Sequence, residues 1–185
     1  MNPKVKGLLS NLMDRFIFFD KFCQIIVNRA QRRRIIDYYS KYKNIHPTVK
    51  LGDVTMDGDA DNIIIGKGTY INSGQIFTGK KAKIRIGKYC AIGFNVHIKA
   101  RTHDPYNATP TEERPYNIRI ERDIIIGDYV WIGDNVFINA GVKIGDNSIV
   151  GANAVVVHDI PPNTIVGGVP ARILKTKYGE NKENE

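Results

Sequence analysis

Long apolar runs and cysteine clusters are missing from this sequence. No run of about 20 apolar residues is present, the length that a membrane-spanning helix needs, and charged residues between Asp14 and Lys21 break the apolar character that a signal peptide requires. The two cysteines, Cys23 and Cys90, are too few for a disulfide framework. Neither a CxxC pair nor a Cys/His cluster occurs, so we expect no metal site. These absences favour a soluble protein of a reducing cytoplasm.

Acidic residues are scarce at the start of the chain. Most of the net charge of +8 comes from residues 1–43, which hold ten basic and three acidic residues. The rest of the chain is close to neutral, and it carries no nucleic-acid-binding motif. The basic excess therefore describes the N-terminal segment alone, and we expect no nucleic-acid partner.

From Ile126 to Val157 the sequence repeats every six residues. The aliphatic first positions are Ile126, Ile132, Ile138, Ile144, Val150 and Val156, and the small or slim fifth positions are Val130, Val136, Val142, Ser148 and Ala154. A period of six does not match the 3.6-residue stripe of a helix. It predicts a parallel β-helix of hexapeptides whose aliphatic side chains point inward. Each one contributes roughly 1.5–3 kcal/mol when fully buried.

The same period occurs earlier in the chain. Steps of six join Ile45 to Leu51, Ile65 to Ile71 and Phe77, and Ile86 to Ile92 and Ile98. Cys90 falls at a fifth position, so we interpret it as a small core residue. Segments 57–59 and 78–81 interrupt the period and are predicted to be turns. The solenoid is predicted over residues 44–170, with a C-terminal extension over 171–185.

Residues 1–43 are predicted to form an amphipathic helical segment. Apolar residues recur there at steps of three and four: Leu9, Leu12, Phe16, Phe19, Cys23, Ile26 and Ala30. Their face could cover the open end of the β-helix, or the helix could lie on an anionic membrane surface. Nucleic-acid binding is the weakest of the three interpretations.

Residues 101–123 break the repeat and contain three prolines, Pro105, Pro110 and Pro115. An excursion of this length from a regular solenoid is usually functional. We therefore predict a protruding loop over 101–123 and look for chemistry there first.

The residues themselves carry a family resemblance. Three stretches carry it: NVHIKARTHDP before the excursion, WIG after it and GGVPARILK at the end. Together they resemble the hexapeptide-repeat acyltransferases of the galactoside and maltose acetyltransferase kind. The resemblance covers roughly residues 60–176. It implies an all-β fold, a left-handed parallel β-helix, with acetyl-CoA as co-substrate, and a homotrimer with active sites between neighbouring subunits.

The resemblance assigns His103 to the family's catalytic histidine. Acetyl transfer from a thioester to a sugar hydroxyl needs the hydroxyl proton removed, and a neutral imidazole suits that step. Asn72 falls on a family asparagine near the reacting centre, where an amide can polarise a carbonyl or orient the acceptor. Asp104 and Tyr106, next to His103 in the loop, are predicted to bind the acceptor with it.

Further residues match family positions that contact coenzyme A: Trp131, Asp134, Ala152, Val157, His158, Arg172 and Lys175. Trp131 is expected beside the pantetheine arm, or else as an outward aromatic residue of an interface. Arg172 and Lys175 supply positive charge for the phosphates. His158 and Val157 replace the family's Lys and Thr, so a backbone contact is expected there. His46 and His97 are interpreted as structural or exposed.

The resemblance favours an O-acetyltransferase that acts on a carbohydrate. Thr102-His103-Asp104 is more similar to enzymes that modify surface polysaccharides or their precursors than to the free-sugar enzymes, which tend to have Thr-His-Pro. A sugar-nucleotide N-acetyltransferase is the alternative enzyme, and an inactive solenoid scaffold is the non-enzyme alternative. The expected location is the cytoplasm, with the N-terminal helix in possible peripheral contact with the membrane.

Overall fold

The computed structural model describes residues 19–27, 29, 33, 40–104, 106 and 119–177. The chain divides into two compact units, Met1–Lys41 and Tyr42–Glu185. The division lies close to residue 43, where the sequence predicts the end of the helical segment.

The first unit is helical where it is described. Residues 19–27, 29, 33, 40 and 41 have helical conformation, which confirms a helix in this part of the chain. Phe19, Phe22, Ile25 and Ile26 are all exposed. The predicted apolar positions Leu9, Leu12, Phe16 and Ala30 lie outside the described residues. None of the described helical residues forms a helix long and apolar enough to cross a membrane.

The second unit is a solenoid of short parallel strands arranged in three rows. The strands are β1 Lys50–Asp57, β2 Ile63–Ile65, β3 Tyr70–Phe77, β4 Ile84–Ile86, β5 Ala91–Ile92, β6 Val96–Lys99, β7 Arg101–His103, β8 Arg119–Glu121, β9 Ile124–Ile126, β10 Trp131–Ile132, β11 Phe137–Ile138, β12 Lys143–Ile144, β13 Ile149–Val150, β14 Val155–Val156, β15 Thr164–Gly167 and β16 Arg172–Thr176. A short 3-10 helix, Ala60–Asn62, precedes β2.

Hydrogen-bond register defines the three rows. The first row is β2-β4-β9-β12, and the second is β5-β10-β13-β15 with the first half of β3. The third row is β6-β11-β14 with the second half of β3. Pairing within the rows is parallel, whereas β7 with β8 and β15 with β16 are antiparallel. We call the links from first to second row, second to third row and third to first row the first, second and third corners.

The core is the column of inward side chains that the six-residue period predicts. From Ile126 to Val156 every first position and every fifth position is 2% exposed or less. Ser148 is the polar member, and its hydroxyl donates to the Pro161 carbonyl at 2.8 Å. Cys90 is buried, as predicted, and burial raises the pKa of its thiol. A parallel β-helix of hexapeptides is thus confirmed.

Aspartates after the recurring Ile-Gly join successive coils. The carboxylates of Asp128, Asp134 and Asp146 accept the backbone N–H of Lys88, Phe94 and Asp128 at 2.7–2.8 Å. These bonds pair backbone groups that the corners would otherwise leave without a strand partner. The Asp of the repeat therefore stabilises the stacking of coils.

The predicted inward position of Phe77 is wrong. Ile76 is buried instead, and in the preceding coil Met56 is buried while Thr55 is exposed. β1 and β3 run through the second corner as continuous eight-residue strands, so five residues instead of six separate their inward side chains. Gly74, with φ 137°, makes this turn in a conformation that favours glycine.

Replacing Ile138 with Asp should prevent folding. Ile138 is fully buried between Ile98 and Val156, and an unpaired carboxylate there costs several kcal/mol, a large part of the ~5–15 kcal/mol that stabilises a typical domain. We expect loss of the β signal in circular dichroism and no cooperative thermal unfolding.

The matched control is Ile125→Asp. Ile125 faces outward between Arg85 and Lys143, where a carboxylate meets water and positive charge. This variant should fold normally, and a folded Ile138→Asp protein would contradict the inward column.

Candidate active site

A two-stranded hairpin carries His103 away from the solenoid. The chain leaves the third corner after the buried Ala100, and β7 pairs with β8 so that His103 lies opposite Arg119. Arg122 donates its backbone N–H back to the Ala100 carbonyl at 2.9 Å, which closes the base of the hairpin. The predicted protruding loop thus begins and ends as a hairpin. Residues 105 and 107–118 lie outside the described residues.

The tip of the described hairpin is open to solvent. Thr102 and His103 are exposed, and Tyr106 is 93% exposed. Asp104 accepts the backbone N–H of Tyr106 at 2.9 Å, so the two predicted acceptor-binding residues share one turn. His103 therefore has room to meet a substrate from outside the coil.

Glu121 anchors the returning strand of the hairpin. Its carboxylate accepts three backbone N–H groups from a loop forty residues earlier: Lys81 at 2.7 Å, and Lys80 and Ala82 at 3.3 Å each. These bonds, above all the one from Lys81, hold the pKa of Glu121 below its ordinary value. Gly79 allows the approach, because a Cβ there would lie 1.9 Å from the carboxylate carbon.

Arg101 anchors the outgoing strand. Its guanidinium forms an ion pair with Asp57 of β1 and lies 5.6 Å from the centre of the Phe77 ring. Both strands are therefore tied to the solenoid at the base of the hairpin, since Arg101, the first residue of β7, and Glu121, the last residue of β8, face each other in register. These anchors were not predicted from the sequence. The only signal for them was the interruption of the period at 57–59 and 78–81.

His97 is a structural histidine in the third row, as predicted. Its ring nitrogens lie 3.1 Å from Gln75 Oε1 and 3.1 Å from Asn95 Oδ1, and the ring stacks on Phe137. Burial, with the nearby Lys99 ammonium, lowers the pKa of His97. With both nitrogens occupied, His97 is not a free base. His46 likewise contacts Thr48, at 3.0 Å.

The residues predicted to hold coenzyme A fall into three groups, of which the first lies on the second row. Trp131 is 56% exposed on β10, and the strand order β10-β13-β15-β16 places Arg172 and Lys175 on the same sheet. Three strand spacings of ~4.8 Å separate Trp131 from Lys175, or about 14 Å. An extended molecule could therefore touch both. Asn72 lies on this row as well, just past the buried Ile71 of β3.

The second corner holds Asp134 and Ala152. The Asp134 carboxylate already accepts the Phe94 N–H at 2.7 Å, so it has a structural role whatever else it binds. Ala152 is exposed, and Asn153 beside it donates its N–H to the Asp134 carbonyl. The small side chain leaves this corner open.

Val157 and His158 form the third group, at the third corner. They follow β14, and both are exposed. Ile98, Ile138 and Val156 are in register, so His158 leaves the solenoid at the same corner as the His103 hairpin. One chain therefore brings His103 and His158 to one corner, and it leaves Trp131 and Asn72 on another row. Across the described ranges, no cluster of three or more His, Cys, Asp or Glu side chains could hold a metal ion.

Comparisons with known proteins identify the family to which this fold belongs. A bacterial transferase hexapeptide model of six repeats matches residues 123–158. A hexapeptide-repeat acetyltransferase of Vibrio cholerae, solved with acetyl coenzyme A, is 32% identical with a TM-score of 0.61 and covers 79% of this chain and 77% of its own. A galactoside acetyltransferase solved with coenzyme A is 27% identical with a TM-score of 0.59, over 85% of this chain and 89% of its own.

The chain belongs to the hexapeptide-repeat acetyltransferases. Among curated sequences, the polysialic acid O-acetyltransferase of Escherichia coli O1:K1 is 34% identical over 72% of this chain and 43% of its own length. The chain spans between 42% and 63% of the length of the curated relatives that it matches.

Replacing Glu121 with Gln should loosen the hairpin and leave the core intact. The amide has one acceptor oxygen where the carboxylate has two, so the three backbone donors cannot all keep their bonds. The amide oxygen can keep Lys81 and Ala82, which share one carboxylate oxygen, while Lys80 uses the other. We therefore expect faster amide hydrogen exchange at Lys80 and a small fall in the unfolding temperature. Asp146→Asn is the control, since its single N–H acceptor oxygen survives the change. Unchanged exchange at Lys80 would contradict the anchor.

The charge on Glu121 gives this anchor a pH dependence. Because its pKa is lower in the folded protein, the anchor contributes stability above the unfolded pKa and loses it as the pH falls through the folded pKa. A carboxyl NMR titration should place its midpoint below the ordinary value of 4.5. A midpoint at or above that value would contradict the three bonds.

Proposed function

We propose that this protein is an acetyl-CoA-dependent O-acetyltransferase that acetylates a sugar hydroxyl of a cell-surface polysaccharide or its precursor. The observation that carries the proposal is His103, exposed on an anchored hairpin in a chain whose relatives are acetyltransferases. The polysialic acid relative supports a polymeric acceptor. His97 and His46 are occupied by other contacts. Of the two exposed histidines at the third corner, His103 is the one carried on the anchored hairpin.

His103 acts as the general base. Its neutral imidazole takes the proton of the acceptor hydroxyl as the sugar oxygen bonds to the carbonyl carbon of the thioester. The carbon–sulfur bond then breaks, and the coenzyme A thiolate leaves and takes up the proton from the imidazolium. Asn72 donates an amide N–H to the carbonyl oxygen, where negative charge develops. Asp104 and Tyr106 contact the acceptor beside the base.

The co-substrate lies along the second row. Trp131 packs against the pantetheine arm, and Ala152 leaves space for it at the second corner. Val157 and His158 contribute backbone contacts, and Asp134 adds a contact to its structural bond. Arg172 and Lys175 on the exposed strand β16 pair with the phosphates.

The active site is completed between subunits of a homotrimer. Within one chain His103 leaves at the third corner, whereas Trp131 and Asn72 lie on the second row. A neighbouring copy related by a closed rotation can bring its second row to this hairpin. Such an arrangement supplies both halves of the site from a single sequence.

Replacing His103 with Ala should cost at least about a hundredfold in turnover, because general-base catalysis is worth roughly 10²–10⁴ in rate. The assay is acetyl-CoA turnover over a panel of mono- and oligosaccharides. The variant should keep the trimer, seen by light scattering, and its acetyl-CoA affinity.

His158→Ala is the matched control for this variant, because His158 leaves the same corner and has no assigned proton transfer. It should lose only a few-fold. Near-normal turnover in His103→Ala would show that His103 is not the general base. If aminosugars are acetylated only when their amine is free, the proposed O-acetyl transfer is wrong and the protein is an N-acetyltransferase.

We also propose that the protein is cytoplasmic and that its N-terminal helix rests on an anionic membrane surface, near membrane-borne glycan intermediates. Phe19, Phe22, Ile25 and Ile26 give the described helix exposed apolar surface. The excess of basic over acidic residues in 1–43 complements anionic lipid.

Replacing Ile26 with Asp in the full chain should weaken binding to vesicles that contain anionic lipid. The change places a charge on the apolar surface, where burial in the interface is lost. Co-sedimentation measures the effect, with Gln24→Asp as the control of equal charge. If both variants lose the same amount of vesicle binding, the added charge alone explains the loss and the apolar surface has no role. If the native protein does not bind the vesicles, the proposed membrane contact is wrong.

A further inference from the structure

Two tyrosines at the first corner adopt a backbone conformation that bulky side chains avoid. Tyr89 has φ 54° and Tyr129 has φ 58°. In the next two coils the same corner position is occupied by Asn147 and Asn163, both with φ 56°, and in the preceding coil by Gly68. Asn and Gly tolerate left-handed conformation, whereas an aromatic residue there is an outlier. Strain of this kind points to a role for the side chain.

The two rings form an exposed strip along the corner. Their centres are 5.6 Å apart and their planes differ by 12°. Tyr89 also lies over Gly68, because a Cβ at that glycine would be 2.5 Å from its ring. The side chains are 47% and 58% exposed, so the strain is not offset by burial in the core. The strip therefore presents aromatic surface to the solvent.

Positive charge surrounds the strip. Both rings border an open cleft of about 790 Å³ whose other lining side chains include Lys43, Lys67 and Lys88. The described residues that line this cleft include no carboxylate. Asp128 lies next to Tyr129 in the chain, and its Oδ1 accepts the Lys88 backbone N–H at 2.8 Å. The lysine ammonium groups thus give the cleft a positive potential.

We infer that the Tyr89–Tyr129 strip is a binding subsite for an acidic oligosaccharide. The inference rests on the proposed function, because the strip would hold a distant part of a polymeric acceptor whose reacting unit is at His103. An aromatic face packs against the apolar face of a sugar ring, and the tyrosine hydroxyl stays wet. Ammonium groups of Lys67 and Lys88 pair with the carboxylates of the sugar acid.

The native conformation supplies an unusually sharp test. Tyr129→Asn and Tyr89→Asn replace each strained tyrosine with asparagine, the residue at this corner position in the next two coils. If the rings only packed for stability, these variants would unfold at a lower temperature. A binding strip predicts an unfolding temperature that is unchanged or higher.

Binding is measured by calorimetry with an oligomer of sialic acid as the acidic probe and a maltooligosaccharide of similar length as the neutral one. The native protein should bind the acidic probe more tightly. Each tyrosine variant should weaken that binding at least tenfold, and Lys67→Gln with Lys88→Gln should do the same. Phe94→Asn, which removes an exposed aromatic residue at the second corner, and Lys143→Gln are the matched controls and should bind normally.

Turnover separates this inference from the proposed function. The tyrosine variants should acetylate a monosaccharide acceptor at the native rate while their KM for the oligomer rises. Binding that survives both tyrosine changes would overturn the strip, and so would tighter binding of a single-stranded oligonucleotide than of the acidic saccharide. Native protein that binds the oligomer and acetylates no sugar would instead reject the proposed function.

Discussion

The inward column of aliphatic side chains is the constraint on which the rest of the structure depends. One Ile or Val per six residues points into a space bounded by three rows of strands, and each stacks on its counterpart in the next coil, as Ile98, Ile138 and Val156 do. A strand of two residues can supply only one such side chain. The column therefore fixes which residue types can face inward along the rows. Most differences in backbone path between coils lie at the corners.

The corners accordingly hold contacts that recur from coil to coil as well as the one long insertion. Asp128, Asp134 and Asp146 tie adjacent coils through backbone N–H groups, and asparagines take the left-handed positions at little cost. Once those needs are met, a corner can accept an insertion without disturbing the column. The His103 hairpin uses the third corner in this way, and the chain returns to the first row at Ile124 in register with Ile84.

The sequence predicted what depends on local repetition and missed what depends on distant partners. The period identified the buried positions from Ile126 to Val156, because spacing alone decides which side chains face inward. It misplaced Phe77, because Gly74 lets β3 continue through a corner with one residue fewer. Glu121 could not be found, since its partners are backbone N–H groups of residues 80–82. The tyrosine strip could not be predicted either, because the sequence does not show that Tyr89 and Tyr129 have positive φ.

The contacts that position His103 are different from those that stabilise the fold. Arg101 and Glu121 bind Asp57 and the 80–82 loop at the surface, whereas the free energy of folding comes mainly from the buried column. Surface anchors of this kind can be altered without emptying the core, so the hairpin can change its length and tip while its base stays fixed. That independence allows one solenoid to carry a hairpin tip of different sequence. The two anchors at the base of the hairpin are how this chain obtains it.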